Sequence, residues 1–358
     1  METFWFIILM TMLTVYVVLD GYDFGAGIIH LFFGRDERDK QLITRSIGPF
    51  WDANEVWLIA AGGVLFFAFP KLYAASFSGF YLPLIMILWL LIFRAIGLEL
   101  RGLVDNALWR TAWDKAFGVA SLLLALFFGL ALGNVVRGVN LGGLEGNVSA
   151  FEPHYFFLPL WVSDFSPLGI DLGIIDWFTL ILGLVGLVTL TIHGANWIRF
   201  KTRSSLHEQL RTWVFRLSWV LVGLVALSLV AWLTVRPDPF RNFLDMPVFW
   251  IFPLLTLAGL VGLLNIKRFK HDGAGFLAST TFIVGAAAST AVSVFPVLLP
   301  SSNALHPDLT VYNTATDAYG LQAGLYWWPF AAVLVVIYVV VQYRIFKGKM
   351  DDVEYGEH

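Results

Sequence analysis

Cysteine is absent from the 358 residues of the chain. Its absence excludes disulfide bonds, thiolate metal sites and cysteine nucleophiles. Charged residues are also scarce, at 14%, and the formal net charge of -3 gives no indication of a nucleic-acid partner. The sequence has no nucleotide-binding loop, no low-complexity tail and no soluble domain. The first residues lack a basic segment and a cleavage site, so we expect a mature first span rather than a signal peptide.

Apolar residues are what the chain has in excess, at 58%, with a mean hydropathy of +0.74. Such a composition requires lipid as the solvent, and the 15 tryptophans are typical of interfacial belts. Stretches of roughly 20 apolar residues are long enough to cross the hydrocarbon core. We predict about nine transmembrane helices, with eight or ten as alternatives. They lie at about 4–30, 54–70, 76–98, 115–136, 174–196, 212–235, 247–265, 274–299 and 323–346.

Basic residues are distributed unequally between alternate loops. Eighteen of the 23 lie in or beside the loops after spans one, three, five, seven and nine, four lie in the other loops, and Arg94 lies within span three. The positive-inside rule then places the N-terminus outside and the C-terminus in the cytoplasm. The predicted fold is an all-α polytopic membrane protein with two four-helix bundles and a peripheral helix. Its parts are a first bundle at 1–136 with an acidic layer, an external loop at 137–173, a second bundle at 174–299, an external loop at 300–322, the ninth helix at 323–346 and a cytoplasmic tail at 347–358.

Ionisable side chains collect near the predicted cytoplasmic ends of the first three spans. Charged groups at membrane depth are costly to hold, so the default interpretation is ion or proton handling. Carboxylates spaced i,i+3 share a helix face and are able to share a proton. We predict a layer of six residues for proton uptake from the cytoplasm. They are Asp20 and Asp23 in span one, Asp52 and Glu55 in span two, and Arg94 and Glu99 in span three.

A purely structural interpretation is open for several of these residues. Asp20, Asp23 and Glu99 are also suited to capping helices at the interface or to balancing Arg94. Glu55 is equally suited to facing lipid headgroups or a partner chain. Glycines in the first span permit close helix approach, and those at positions 25 and 27 also favour packing against a partner subunit.

Two further residues have both a structural and a functional interpretation. Tryptophans near the interface usually act as anchors, but Trp57 lies one and a half turns from Asp52 and is placed to line the same cavity. His193 lies in span five, where an imidazole is able to ligate haem iron. No other histidine lies at matched depth, so a hydrogen-bonded structural histidine is favoured. The sequence specifies no metal site.

Several segments of the sequence resemble signature segments of subunit II of the cytochrome bd-type quinol oxidases. The nine-span topology with an outside N-terminus is also that of this family. The resemblance covers most of the chain and is most specific in the first hundred residues. The segments are 20–27 (DGYDFGAG), 46–58 (SIGPFWDANEVWL), 69–81 (FPKLYAASFSGFY), 93–94 (FR), 295–296 (FP) and 300–302 (PSS).

The resemblance implies a heterodimer with a larger subunit I, which carries haems b and d and the quinol-oxidising loop. The complex would oxidise quinol, reduce dioxygen to water and draw protons from the cytoplasm of a bacterial or archaeal cell without pumping. This chain would ligate no haem and hold no catalytic residue in the strict sense. The resemblance leaves room for a structural quinone on this chain and for a small single-helix accessory subunit.

The resemblance also implies roles for individual residues. The family's hydrophilic channel begins at the aspartate matched by Asp52, and the tryptophan matched by Trp57 is implicated in dioxygen access. Members commonly have Gln or Glu at the position of Glu55. The alternative function is a proton-coupled transporter, which would show broken helices and midplane charges in two corresponding halves. A purely structural scaffold leaves the acidic layer unexplained.

Overall fold

The computed structural model describes residues 1–145, 148–150, 158–203, 206–236 and 238–350. Parts of the predicted loop at 137–173 and of the predicted bundle at 174–299, and residues 351–358 of the predicted tail, lie outside the described residues. The described α-helices are α1 (Glu2–Phe33), α2 (Glu37–Ile47), α3 (Trp51–Ala68), α4 (Pro70–Gly79), α5 (Tyr81–Leu100), α6 (Ala107–Arg137), α7 (Trp177–Lys201), α8 (His207–Val235), α9 (Arg241–Asp245), α10 (Ile251–Leu264), α11 (Asp272–Val294), α12 (Val311–Thr314) and α13 (Ala318–Ile345).

Short elements complete the described structure. Strands β1 (Gly143–Glu145) and β2 (Val148–Ala150) form one antiparallel pair, and β3 (Val297–Leu299) and β4 (Leu309–Thr310) form another. Two 3-10 helices, Pro247–Trp250 and Ile266–Arg268, flank α10. All four strands lie in connections between long helices, so the fold is all-α in its main elements, as predicted.

Eight helical segments of the described chain are long and apolar enough to cross a membrane, with Pro247–Leu264 taken as one of them. α3 and α4 pass the same test only as a pair, and they are bent by 118°. The break follows from Pro70, which opens α4 and has no N–H with which to continue α3. The predicted number of nine therefore holds when the bent pair is counted as one span, and the predicted span 54–70 corresponds to α3.

α1 lies at the centre of the helix assembly and packs against α3, α6, α7 and α11. Gly25 permits the contact with α7, because a Cβ there would lie 2.6 Å from the backbone nitrogen of Gly194. Gly27 permits the contact with α6, where Ser121 occupies the space that a side chain would need. Both glycines serve contacts within the chain, so their predicted packing against a partner subunit is wrong.

The remaining long helices surround this centre. α5 packs on α6, α8 and α11 pack on α7, and α10 packs on α8 and α11. α13 is peripheral: it reaches the rest of the chain mainly near its two ends, through contacts of Trp328 with Trp5 and of Tyr343 with Tyr22. Most large side chains in its central part are exposed, as predicted for a ninth helix outside the bundles.

One end of the assembly, which we call the basic end, contains α2, the C-terminus of α7 and the N-terminus of α11. Trp197 Nε1 of α7 donates a hydrogen bond to the Ser46 carbonyl of α2 at 3.1 Å. Arg199 Nη2 of α7 lies 3.1 Å from Asp272 Oδ1 of α11. The cations predicted for separate cytoplasmic loops therefore meet at one end. This end carries Arg38, Lys40, Arg45, Arg101, Arg199, Lys201, Lys267, Arg268 and Lys349.

Candidate functional site

Arg94 is the centre of a buried charged group at the meeting of α1, α3 and α5. Its Nη1 donates a hydrogen bond to Asp20 Oδ1 at 2.6 Å, and its Nη2 donates one to Glu55 Oε1. The guanidinium carbon lies 4.7 Å from the centroid of the Phe24 ring, which adds a cation–π contact. We call Asp20, Asp23, Glu55 and Arg94 the Arg94 cluster.

Burial differs between the members of the Arg94 cluster. The side chains of Asp20 and Arg94 are 0% and 3% exposed, whereas that of Glu55 is 25% exposed. Gly97, one turn after Arg94, lets α5 lie close to α6, since a Cβ there would be 3.0 Å from Phe117. Glu55 is therefore the outer member of the cluster, and the pair formed by Asp20 and Arg94 is its dry interior.

Asp23 belongs to the same cluster and is held by uncharged polar side chains. Asn54 Nδ2 donates to Asp23 Oδ2 at 2.8 Å and to the Tyr22 hydroxyl at 2.7 Å. The Tyr22 and Tyr343 hydroxyls lie 2.7 Å apart, which links the network to α13. An amide N–H keeps its protons, so this network positions Asp23 without offering a proton route through Asn54. Asp23 Oδ1 has no hydrogen-bond partner within the described chain.

A narrow, partly open cleft lies beside Asp23 and Arg94. It is too narrow to hold a water molecule in this conformation. Its walls include the end of α2 and the start of α3, which lie at the basic end. The cleft therefore leads from the basic end toward the buried carboxylates. The residues that line it are Asp23, Ile47, Trp51, Arg94, Ala95, Leu98 and Phe117.

Asp52 and Glu99 lie outside the Arg94 cluster, although the sequence predicts all six residues in one layer. Asp52 is exposed on the outer face of α3, together with Val56 and Ile59. Glu99 is exposed on α5 because five residues rotate the side chain about 140° around the helix from Arg94. The structure thus brings together four of the six predicted residues.

Trp57 and His193 occupy different environments in the core. Trp57 packs against both of the largest apolar clusters, and its Nε1 is buried without a hydrogen-bond partner among the described residues. His193 is fully buried, with Nδ1 2.8 Å from Ser279 Oγ and Nε2 2.9 Å from the Val18 carbonyl. Both ring nitrogens are engaged, which agrees with the favoured structural interpretation of this histidine.

Sequence reasoning missed the uncharged members of the site. Asn54 joins α3 to α1, and Tyr22 and Tyr343 join α1 to α13. A tyrosine in a membrane span is too common to be a signal on its own. The available signal is position: Tyr22 lies between two aspartates, and Asn54 lies between Asp52 and Glu55.

The described helices and the Arg94 cluster define a class of protein. It is a multi-pass membrane protein that holds an arginine and three carboxylates in one group at the meeting of three helices. The chain belongs to the family of cytochrome bd terminal oxidase subunit II, whose model matches residues 1–346. It is therefore a multi-pass cytoplasmic-membrane subunit of a quinol oxidase complex. Such complexes combine this subunit with a subunit I, use haems, and act on quinol and dioxygen.

Individual relatives support the same assignment. The probable cytochrome oxidase subunit 2 of Haemophilus influenzae is 31% identical over 384 residues, which cover 97% of this chain and 94% of that protein. The cytochrome bd-I ubiquinol oxidase subunit 2 of Escherichia coli K12 is 27% identical over 391 residues, which cover 99% and 97%. The cytochrome bd ubiquinol oxidase subunit 2 of Bacillus subtilis is 28% identical over 327 residues, which cover 89% and 87%.

A solved structure supports the fold. One chain in the structure of the bd oxidase from Geobacillus thermodenitrificans superposes with a TM-score of 0.75, at 18% sequence identity. The match covers 96% of this chain and 98% of that chain. The described helices of this protein therefore share the arrangement of a bd oxidase chain over nearly their whole length.

Proposed function

We propose that this chain supports a haem-bearing subunit I and supplies the oxidase complex with a proton path from the cytoplasm. The single observation that carries the proposal is the Arg94 cluster, in which Asp20 is fully buried and Asp23 lines a cleft that approaches from the basic end. Dioxygen reduction consumes protons, and buried carboxylates beside such a cleft are suited to pass them inward. The complex then generates a proton motive force by vectorial chemistry, without pumping.

The basic end faces the cytoplasm in this proposal. Positive loops are retained on the cytoplasmic side, and the cations of four separate connections and of the segment after α13 meet at this end. The N-terminus is then outside. We treat α1, α3, α5 and α6 as the bundle that holds the acidic residues, and α7, α8, α10 and α11 as the bundle that supports it.

We assign haems b and d to subunit I, because His193, the residue considered as a haem ligand, is already held by other groups. His193 has both ring nitrogens in hydrogen bonds, and His207 Nε2 lies 2.7 Å from Asp272 Oδ1. No group of three His, Cys, Asp or Glu able to hold a metal occurs in the described part of the chain. In this proposal the chain is a non-haem-ligating subunit, and a structural quinone and a small single-helix accessory subunit remain predictions.

Asp52 is the proposed entry point on the outer face of α3. A carboxylate beside exposed Val56 and Ile59 would be costly against lipid chains, so we propose that subunit I covers this face. Asp52 is close enough to Glu55 to act on it electrostatically, and Glu55 binds Arg94. Trp57, one turn and a half further along α3, is the proposed residue for dioxygen access. Glu99 is a proposed surface carboxylate of the same path.

The test of this function is turnover of the purified complex that contains Asp52→Asn. We expect normal yield and haem content, because asparagine matches aspartate in shape and Asp52 is not packed within this chain. We expect quinol-dependent oxygen uptake to be slowed by roughly tenfold or more, because proton-transfer groups typically contribute at least that much. Glu208→Gln is the matched control, an exposed carboxylate at the basic end outside the Arg94 cluster. Wild-type turnover of Asp52→Asn would contradict the entry of protons at Asp52.

A further inference from the structure

A second buried charged group lies at the basic end, where α2, the end of α5 and α6 meet. Asp114 of α6 is its centre: Arg101 Nε donates to its Oδ1 at 2.7 Å, and Lys40 Nζ donates to its Oδ2 at 3.0 Å. Arg101 Nη2 also donates to Glu37 Oε1 at 3.0 Å. These four residues carry two positive and two negative formal charges, so they neutralise one another without a further partner.

His30 of α1 lies against this group, at ion-pairing distance from Asp114 when the imidazole is protonated. It is 1% exposed, and its Nε2 lies 3.3 Å from Asp114 Oδ1. Neither ring nitrogen has a hydrogen-bond partner within the described chain. A buried polar group without hydrogen bonds costs free energy, and the charge balance does not require one here. The imidazole gains an ion pair with Asp114 when it takes up a proton.

His30 is aligned with the Arg94 cluster along α1. His30 follows Asp23 by seven residues. Seven residues correspond to about 10 Å along the helix axis and to nearly two full turns, so the two side chains lie on nearly the same face of α1. Gly27 lies between them and presents no side chain of its own. The His30 ring meets the Phe117 ring edge to face at 5.4 Å, and Phe117 also lines the cleft beside Asp23. The Phe117 ring therefore contacts the imidazole and also lines the cleft that Asp23 lines.

Exposure increases from His30 toward the protein surface. The side chain of Asp114 is 7% exposed, that of Lys40 is 26% exposed and that of Glu37 is 37% exposed. A proton from the cytoplasm thus meets polar side chains whose exposed fraction decreases step by step toward the imidazole. Asp114 from α6 faces His30 directly. Lys40 from α2 and Arg101 from the end of α5 bind Asp114, and Glu37 from α2 binds Arg101.

We propose that His30 is a proton-loading residue that feeds Asp23 from the basic end, by a route separate from Asp52. This inference rests on the proposed proton path. A hydronium ion gives its proton to the free ring nitrogen of His30 and becomes water. The imidazolium then gives a proton, through water admitted when Phe117 moves, to the carboxylate of Asp23. The imidazole returns to its neutral form, and Asp23 becomes a carboxylic acid.

The test is the pH profile of quinol-dependent oxygen uptake by the purified complex that contains His30→Gln. Glutamine fills much of the same space but carries no exchangeable ring proton. We expect turnover to fall by roughly tenfold in alkaline buffer, where protons are scarce, and to approach the wild-type rate in acidic buffer. His207→Gln is the matched control, because His207 also pairs with an aspartate at the basic end but lies on α8. Its profile is expected to match the wild type.

A uniform reduction at every pH, or a wild-type profile, would overturn the role of His30. If His30→Gln fails to assemble, Glu37→Gln decides the matter, since this half-exposed residue lies at the outer end of the same group. An alkaline loss of turnover in Glu37→Gln supports the proposal, and an unchanged profile rejects it. Wild-type turnover of Asp23→Asn would instead count against the whole proton path, so the two failures are distinguishable.

Discussion

Removal of the Arg94 guanidinium is the perturbation whose effect the structure specifies most closely. In Arg94→Gln, Asp20 would remain fully buried with no cation, and Glu55 would lose its partner at a partly exposed position. Breaking a buried ion pair by removing one partner typically costs about 3 to 5 kcal/mol. A partly exposed pair contributes about 1 kcal/mol or less, and the cation–π contact with Phe24 adds about 0.5 to 2 kcal/mol.

These magnitudes predict an order among three variants. Arg94→Gln loses the most stability, Asp20→Asn loses less because Arg94 keeps Glu55, and Glu55→Gln loses the least. The assay is the yield of haem-containing complex from equal amounts of membrane, together with the midpoint of its thermal inactivation. The double variant Arg94→Gln with Asp20→Asn is expected to recover part of the loss, since both charges are then gone.

Two results would refute this reasoning. A wild-type yield and midpoint for Arg94→Gln would mean that the guanidinium reaches water and that the Asp20 pair contributes little. A loss in Glu55→Gln as large as that in Asp20→Asn would mean that burial does not set the order. Glu208→Gln serves as the control for removal of an exposed carboxylate at the basic end.

Two further variants test the packing and the haem assignment. Gly25→Ala is expected to lower the stability of the complex by about 1 to 3 kcal/mol or more and to lower the assembled yield, because the new Cβ meets the α7 backbone. The control Gly223→Ala should assemble normally, because a Cβ there meets no neighbouring atom within 4 Å. Equal yields of the two variants would contradict the close helix contact. His193→Gln is expected to lower stability by about 1 to 3 kcal/mol, because hydrogen bonds of the imidazole are lost. The haem spectrum per assembled complex is expected to be unchanged. A missing haem band would contradict the structural role of His193.

Much of the fold follows from the sequence because lipid imposes a simple rule on it. A chain that crosses hydrocarbon must satisfy its backbone within each segment, so long apolar runs become helices. The predicted spans correspond to the described helices for this reason. The break between α3 and α4 was harder to predict from the sequence. Pro70 lies in an apolar run, where a proline is equally compatible with a break within a span and with the end of a span.

The site was predictable only in part, and the reason is rotation about helix axes. The depths of Asp52 and Glu99 follow from chain position, but their outward directions depend on how α3 and α5 are turned against α1. His30 and Asp114 were missed because they lie far apart in sequence and meet only through the packing of α1 on α6. Pairing of Arg94 with Asp20 was one alternative that the sequence left open.

Proton uptake by the fully reduced complex on reaction with dioxygen tests the central claim most directly. The comparison is between the wild type and Asp23→Asn, which keeps an oxygen to accept the Asn54 hydrogen bond but holds no transferable proton. The account predicts that the variant binds dioxygen at the wild-type rate and takes up protons from the cytoplasmic side at least about tenfold more slowly. Proton uptake at the wild-type rate in an assembled, haem-complete variant would contradict it.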